Sequence, residues 1–168
     1  NWNYKEAGYV KDWTGKYPAM NGYDYIHLTY DWEPYTDISP VKEWWEMGGL
    51  VTICWHWRVP DSKEEWEAYK ADKNTVFEGF YAPEGGSPST TFSAANAVEE
   101  GTWENEFVKS DMEKVAERLA LLRDEGIVVI WRPFHEAAGN STIYSDGKAW
   151  FWWGADGAEP CVKLWKMM

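Results

Sequence analysis

The chain has 168 residues and a formal net charge of −12, which is long enough for one domain with a real hydrophobic core. So acidic a surface gains nothing from a polyanion, which argues against nucleic acid and anionic membranes as partners and fits a neutral substrate. No run is long and apolar enough to span a bilayer, yet aromatic residues abound, with 14 Trp, 10 Tyr and 6 Phe.

In chain order, the stretch Trp2 to Trp13 reads as a first helix. The run Tyr25-Ile26-His27-Leu28-Thr29-Tyr30 is predicted as a first buried strand. A short helix from Pro40 to Met47 follows, with Ser39 as its cap, proline in its first turn and Gly48-Gly49 as its stop. Leu50 to Trp55 is a second strand, short and rich in β-branched residues. Pro60 to Lys73 reads as a charged surface helix, and Pro83 to Thr91 as a loop by composition. The clearest helix runs from about Glu104 to Glu125. Its residues Met112, Val115, Ala116, Leu119 and Leu122 fall on one stripe, and Gly126 ends it. Ile127 to Trp131 is the third strand, and a last helix begins near Glu159 and Pro160.

Helical stretches that precede buried strands predict an α/β fold with parallel strands. Three such strands form an open sheet. A complete eight-stranded barrel needs about 250 residues, so by strand count the chain covers less than half of one. The region from Arg58 to Trp103 breaks the rhythm, and a long insertion after a strand is where barrel enzymes shape a substrate cleft. Asn1 is not an initiator Met, and the chain reads as a processed or truncated product.

Most aromatic residues are expected in the core. The polar contexts of Trp13-Thr14-Gly15, Tyr30-Asp31-Trp32 and Trp55-His56-Trp57 favour exposed platforms for some of them. Cys54, inside an apolar run, and Cys161, just after Pro160, read as buried free thiols rather than a disulfide.

The densest chemical signal is Val128-Val129-Ile130-Trp131-Arg132-Pro133-Phe134-His135-Glu136, followed by Trp150-Phe151-Trp152-Trp153-Gly154. An apolar strand ends in a histidine and a carboxyl group, and residues at the C-terminal ends of barrel strands face the active-site mouth. His56 ends the second strand in the same way. Flat aromatic faces beside a carboxyl group suit a sugar ring. Glu136 reads either as a salt-bridged surface glutamate or as a general acid. Held among Trp rings it would lose hydration, and its pKa would rise toward the range a general acid needs. Arg132 is expected to pair with another carboxylate. His56, His135 and Glu136 offer metal-ligand atoms, but no HExxH spacing occurs. No GxSxG nucleophile elbow is present either. Neither a metal nor a cofactor is expected.

These residues resemble glycoside hydrolase family 26, whose best-known members are endo-β-1,4-mannanases. The family's fourth-strand pattern of Arg-Pro-aromatic-His-Glu, then Gly, then Trp-Phe-Trp-Trp-Gly is matched by Arg132 to Glu136, Gly139 and Trp150 to Gly154. Thr14 to Met20 with Gly22 to Tyr25 looks like the entry into the family's second strand, and Gly48 to His56 looks like its third. The resemblance implies part of a (β/α)8 TIM barrel, about strands 2–4 with flanking helices. Residues 1–168 then form a partial catalytic domain, truncated at both ends relative to the family.

It further implies that Glu136 is the general acid/base of a retaining mechanism, that His135 and His56 border the reacting sugar, and that Trp150 belongs to the active-site wall. Trp57, beside His56, is expected at the substrate as well. The family's nucleophile lies at the end of the seventh strand and matches nothing in this chain, so the isolated chain is expected to be inactive. A second chain completing the barrel is a partner that such an open sheet admits. The connection Asn140 to Ala149 is longer than the family pattern, and Val59-Pro60 stands where an Asn-Pro pair is usual.

The implied substrate is β-mannan, met outside the cell or in the periplasm. Two alternatives are another β-glycan hydrolase, acting on β-glucan or xylan, and a non-catalytic carbohydrate-binding fragment.

Overall fold

A computed structural model describes residues 2–30, 35–139 and 149–168. In chain order its elements are α1 (Lys5–Thr14), β1 (Met20–Asp24), a 3-10 turn (Leu28–Tyr30), α2 (Ser39–Glu46), β2 (Leu50–Cys54), α3 (Lys63–Ala71), α4 (Ala94–Ala97), α5 (Trp103–Asp124), β3 (Val129–Arg132), α6 (Trp152–Ala155) and α7 (Ala158–Met167). They divide into two compact units. The first is Asn1–His56 with Lys114–Pro133, and the second is Trp57–Glu113 with Phe134–Met168.

The first unit carries the sheet, with strand order β1-β2-β3 and both pairings parallel. Its register aligns Asn21, Val51 and Val129, and two residues on Tyr23, Ile53 and Trp131. Side chains alternate between sheet faces. That first face is closed: Tyr23, Val51 and Ile53 are buried. The opposite face bears Met20, Leu50, Val128 and Ile130, all substantially exposed. Parallel sheets are normally covered on both faces, so this apolar layer is the side on which a closed barrel would place its interior.

Local chemistry explains most boundaries. Helix α5 ends in a Schellman arrangement. The Gly126 N–H donates to the Arg123 carbonyl and the Ile127 N–H to the Leu122 carbonyl, with Gly126 at φ 74°. Gly49 is required by packing, because a Cβ there would lie 2.3 Å from the Trp44 ring. That ring is held by its Nε1–H donating to the Leu50 carbonyl at 2.9 Å. Helix α2 begins one residue earlier than expected. Ser39 is its first residue and Ile38 its N-cap, which makes no side-chain capping bond, while Asp37 accepts the Ser39 N–H at 3.0 Å.

The first strand is displaced from its predicted place. Met20–Asp24, not Tyr25–Tyr30, pairs with β2. Tyr25 still donates its N–H to the Cys54 carbonyl, but the chain then tightens into the 3-10 turn. Tyr25 joins an aromatic cluster with Trp2 and Tyr35, with ring centroids 4.9–5.2 Å apart. Burial of that large apolar area outweighs the β-propensity of the aromatic run.

The second unit is built on aromatic contacts. Trp57 is fully enclosed. It packs against Trp152 at 5.2 Å and Phe134 at 6.1 Å between ring centroids, and donates Nε1–H to the Asp111 carboxylate at 3.0 Å. Trp152 in turn donates Nε1–H to the Trp57 carbonyl at 2.9 Å. Trp57 is therefore core and not a substrate platform, which corrects the expectation for it. The same holds for Trp55, whereas Trp13 is 90% exposed as expected. Trp32 lies outside the described residues. Helix α3 follows Ser62, whose hydroxyl accepts the Glu65 N–H at 3.2 Å. Cys54 and Cys161 are both free thiols, Cys161 buried and Cys54 half-buried.

Candidate active site

In the first unit, β1 and β2 end side by side with Asp24 opposite Cys54, and Arg132 on β3 takes the next register position. His56 stands two residues past the end of β2. Its backbone N–H donates to Asp24 Oδ1 at 3.1 Å, and its ring Nδ1 lies 2.5 Å from Asp24 Oδ2. Burial works to lower the His56 pKa, but hydrogen bonds to Asp24 and Cys54, together with their charge, prevail and push it up to about 9. Residue Asp24 was not singled out in the sequence. The available signal was a carboxylate at a strand end, one register step from the histidine strand.

The donor atoms of Asp24, Cys54 and His56 all lie within 4.8 Å of one another, a mixed O, S and N set of the kind zinc takes. Both Asp24 oxygens are already engaged by His56. A metal would have to displace the ring proton, which a pKa near 9 favours by roughly a hundredfold at neutral pH. The cluster is an ion pair first.

In the second unit, residues 133–139 turn immediately after β3. Phe134 anchors the turn, buried against Trp165 at 5.4 Å between ring centroids. The His135 ring lies beside the stacked pair of Phe151 and Trp153, at 5.2 Å and 5.5 Å between ring centroids, and the His135 carbonyl accepts the Trp153 Nε1–H at 3.1 Å. Glu136 has φ 54° and is the one non-glycine residue with positive φ among the described residues. Its carbonyl accepts the Gly139 N–H at 2.8 Å. The side chain is exposed, and among the described residues no donor meets its carboxylate.

Two expectations are corrected here. Glu136 is not enclosed by Trp rings, and Arg132, also exposed, pairs with no carboxylate among the described residues.

The aromatic run holds this turn from below. A Cβ on Gly154 would meet the Ala137 carbonyl oxygen at 2.1 Å, and one on Gly139 would meet the Trp150 ring at 2.6 Å. Phe151, Trp152 and Trp153 are buried. Of the run, only Trp150 is partly exposed, and its Nε1–H is enclosed without an acceptor among the described residues. Of the run, Trp150 was the ring expected at an active-site wall. Phe151 and Trp153 pack against the His135 ring, and Trp152 is core with Trp57 and Phe92. The long connection expected at Asn140 to Ala149 falls outside the described residues but for Ala149.

The sequence profile described as "Glycosyl hydrolase family 26" matches residues 1–168. The chain belongs to this family. It is 34% identical over 162 residues to "Mannan endo-1,4-beta-mannosidase B" of Piromyces sp, covering 92% of this chain and 24% of that protein. It is similar in structure to the Prevotella bryantii endo-beta-mannanase/endo-beta-glucanase PbGH26A-GH5A, with 43% identity and a TM-score of 0.80, covering 99% of this chain and 24% of that one. A third likeness is to a beta-mannanase from a symbiotic protist of the termite Reticulitermes speratus, complexed with gluco-manno-oligosaccharide. There the identity is 33% and the TM-score 0.73, covering 98% of this chain and 46% of that one. The chain spans about a quarter of the length of the first curated relatives it matches. The three parallel strands and their helices are part of the family 26 (β/α)8 barrel.

Proposed function

We propose that the protein carrying this chain is a retaining glycoside hydrolase that cleaves β-1,4-mannosidic bonds in mannan-type polysaccharides, with Glu136 as general acid/base. The observation that carries the reading is the state of Glu136. Its side chain is exposed and meets no donor among the described residues, and its backbone is held left-handed on a turn that Trp153, Gly154 and Trp150 lock in place. A backbone strained by about 1–3 kcal/mol persists only where the surroundings over-determine it, and such residues cluster at sites of chemistry. A bystander glutamate needs no such device.

In this reading Glu136 protonates the departing glycosidic oxygen and then activates water against the glycosyl-enzyme. The nucleophilic carboxylate, about 5–5.5 Å away, comes from a later barrel strand. His135 and His56 border the reacting sugar, and Trp150 offers its partly exposed ring as a stacking face. The Piromyces mannosidase and the termite-protist beta-mannanase support mannan as the substrate. A polymer that cannot enter a cell places the enzyme outside it or in the periplasm.

The test uses the full-length protein on mannan, glucomannan, xylan and β-glucan, with the first product anomer read by proton NMR. The reading expects cleavage of the first two substrates and release of the β-anomer. Cleavage of xylan or β-glucan alone, or initial release of the α-anomer, would contradict it.

A further inference from the structure

The contact between Asp24 and His56 is more specific than a surface ion pair. One carboxylate meets the same residue twice, at the main-chain N–H through Oδ1 and at the ring through Oδ2. The first bond fixes where the residue sits, and the second fixes how its ring is turned. The Asp24 side chain is 16% exposed, and that of His56 29%. A carboxylate so sheltered needs hydrogen-bonding partners, and His56 supplies a donor to each of its two oxygens.

We propose that Asp24 is a positioning residue for sugar binding. It holds the His56 imidazole in one orientation and in its cationic form, so that the ring meets a hydroxyl of the bound sugar as a charge-assisted donor. The proposal rests on the reading of His56 as a border of the mannosyl site. Among the described residues, Asp24 from β1 and Cys54 from β2 act on the ring, and Arg132 stands at the adjoining register position on β3. Of these three, Arg132 carries the charge that opposes the cation. It is exposed, so water screens it, whereas the carboxylate is in direct contact. Replacing Asp24 with an amide keeps the shape and removes the charge.

The experiment uses the full-length enzyme with labelled histidine. The His56 ring is titrated by NMR, and kcat and KM are measured on a manno-oligosaccharide across pH. The wild-type His56 is expected to titrate at about 9. In Asp24→Asn the titration falls by at least one unit toward about 6.5, and the pH above which KM for the oligosaccharide rises moves down with it. At pH 8, KM rises about tenfold while kcat changes less than about threefold, the pattern of a lost binding contact. Asp24→Glu, which keeps the charge, restores part of both shifts. A wild-type His56 that titrates near its ordinary value overturns the proposal without any variant. A KM at pH 8 that is unmoved in Asp24→Asn overturns it too. An enzyme inert on mannans whose His56 still titrates near 9 would overturn the mannanase reading and leave the charge-holding role of Asp24 standing.

Discussion

Replacing Glu136 by glycine and, separately, by alanine should reverse the usual order of stability. At an ordinary exposed position, glycine is less stable than alanine by about 0.5–1 kcal/mol, because the unfolded chain gains freedom. At φ 54° alanine keeps the Cβ clash, which costs an L-residue about 1–2 kcal/mol. Glycine removes it. The Glu136 carboxylate has no donor among the described residues, so truncation removes no bond in either variant. The net expectation is that Glu136→Gly is more stable than Glu136→Ala by roughly 0–1.5 kcal/mol. Both should lose activity on mannan. Urea unfolding of the full-length protein at a common m-value measures the difference. Glycine less stable than alanine by about 0.5 kcal/mol or more would show that this backbone is not strained, and the argument from strain to function would fall with it.

Trp57→Phe should cost about 1–3 kcal/mol through lost core volume and leave KM for mannan unchanged; a tenfold rise in KM would return Trp57 to the substrate surface. Gly154→Ala drives a methyl group into the Ala137 carbonyl, 2.1 Å from the new atom. It should lower kcat about a hundredfold by displacing the His135-Glu136 turn, and wild-type kcat in a folded variant would show that the turn tolerates the shift. The raised His56 pKa sets a stability trend with pH. A histidine whose folded pKa of about 9 exceeds its unfolded value contributes stability that is full below about 6.5 and lost as pH rises through 9. The loss amounts to at most about 3 kcal/mol. Unfolding curves from pH 6 to pH 10 should show it in the wild type and not in Asp24→Asn, and parallel curves for the two proteins would refute it.

The parts of the fold that were legible are those where local signals agree with tertiary packing. The stripe on α5 and the glycine after it marked both ends of that helix, and the β-branched runs marked β2 and β3. The first strand was misplaced because Met20-Asn21-Gly22-Tyr23-Asp24 has weak strand propensity and is held by its neighbour β2. The aromatic residues after it looked more like a strand and instead fill a core.

Among the candidate residues, His135, Glu136 and His56 were readable as polar residues at the ends of apolar runs. Burial of individual tryptophans was not readable. Trp150 and Trp152 stand two residues apart in one motif, yet one is partly exposed and the other enclosed. Nor could the sequence show that Asp24 meets His56 across the sheet, because that pairing depends on register, which no single strand encodes.

The central claim is that Glu136 gives a proton to the leaving group. Glu136→Gln in the full-length enzyme tests it most directly, assayed in parallel on mannan and on an aryl β-mannoside with a good leaving group. Turnover of mannan should fall by several orders of magnitude, while the first, glycosylation step on the aryl substrate should fall far less, because a good leaving group needs little acid assistance. Added azide, a nucleophile that needs no general base, should speed turnover of the aryl substrate. Equal losses on both substrates with no response to azide would contradict the account and make Glu136 a structural residue.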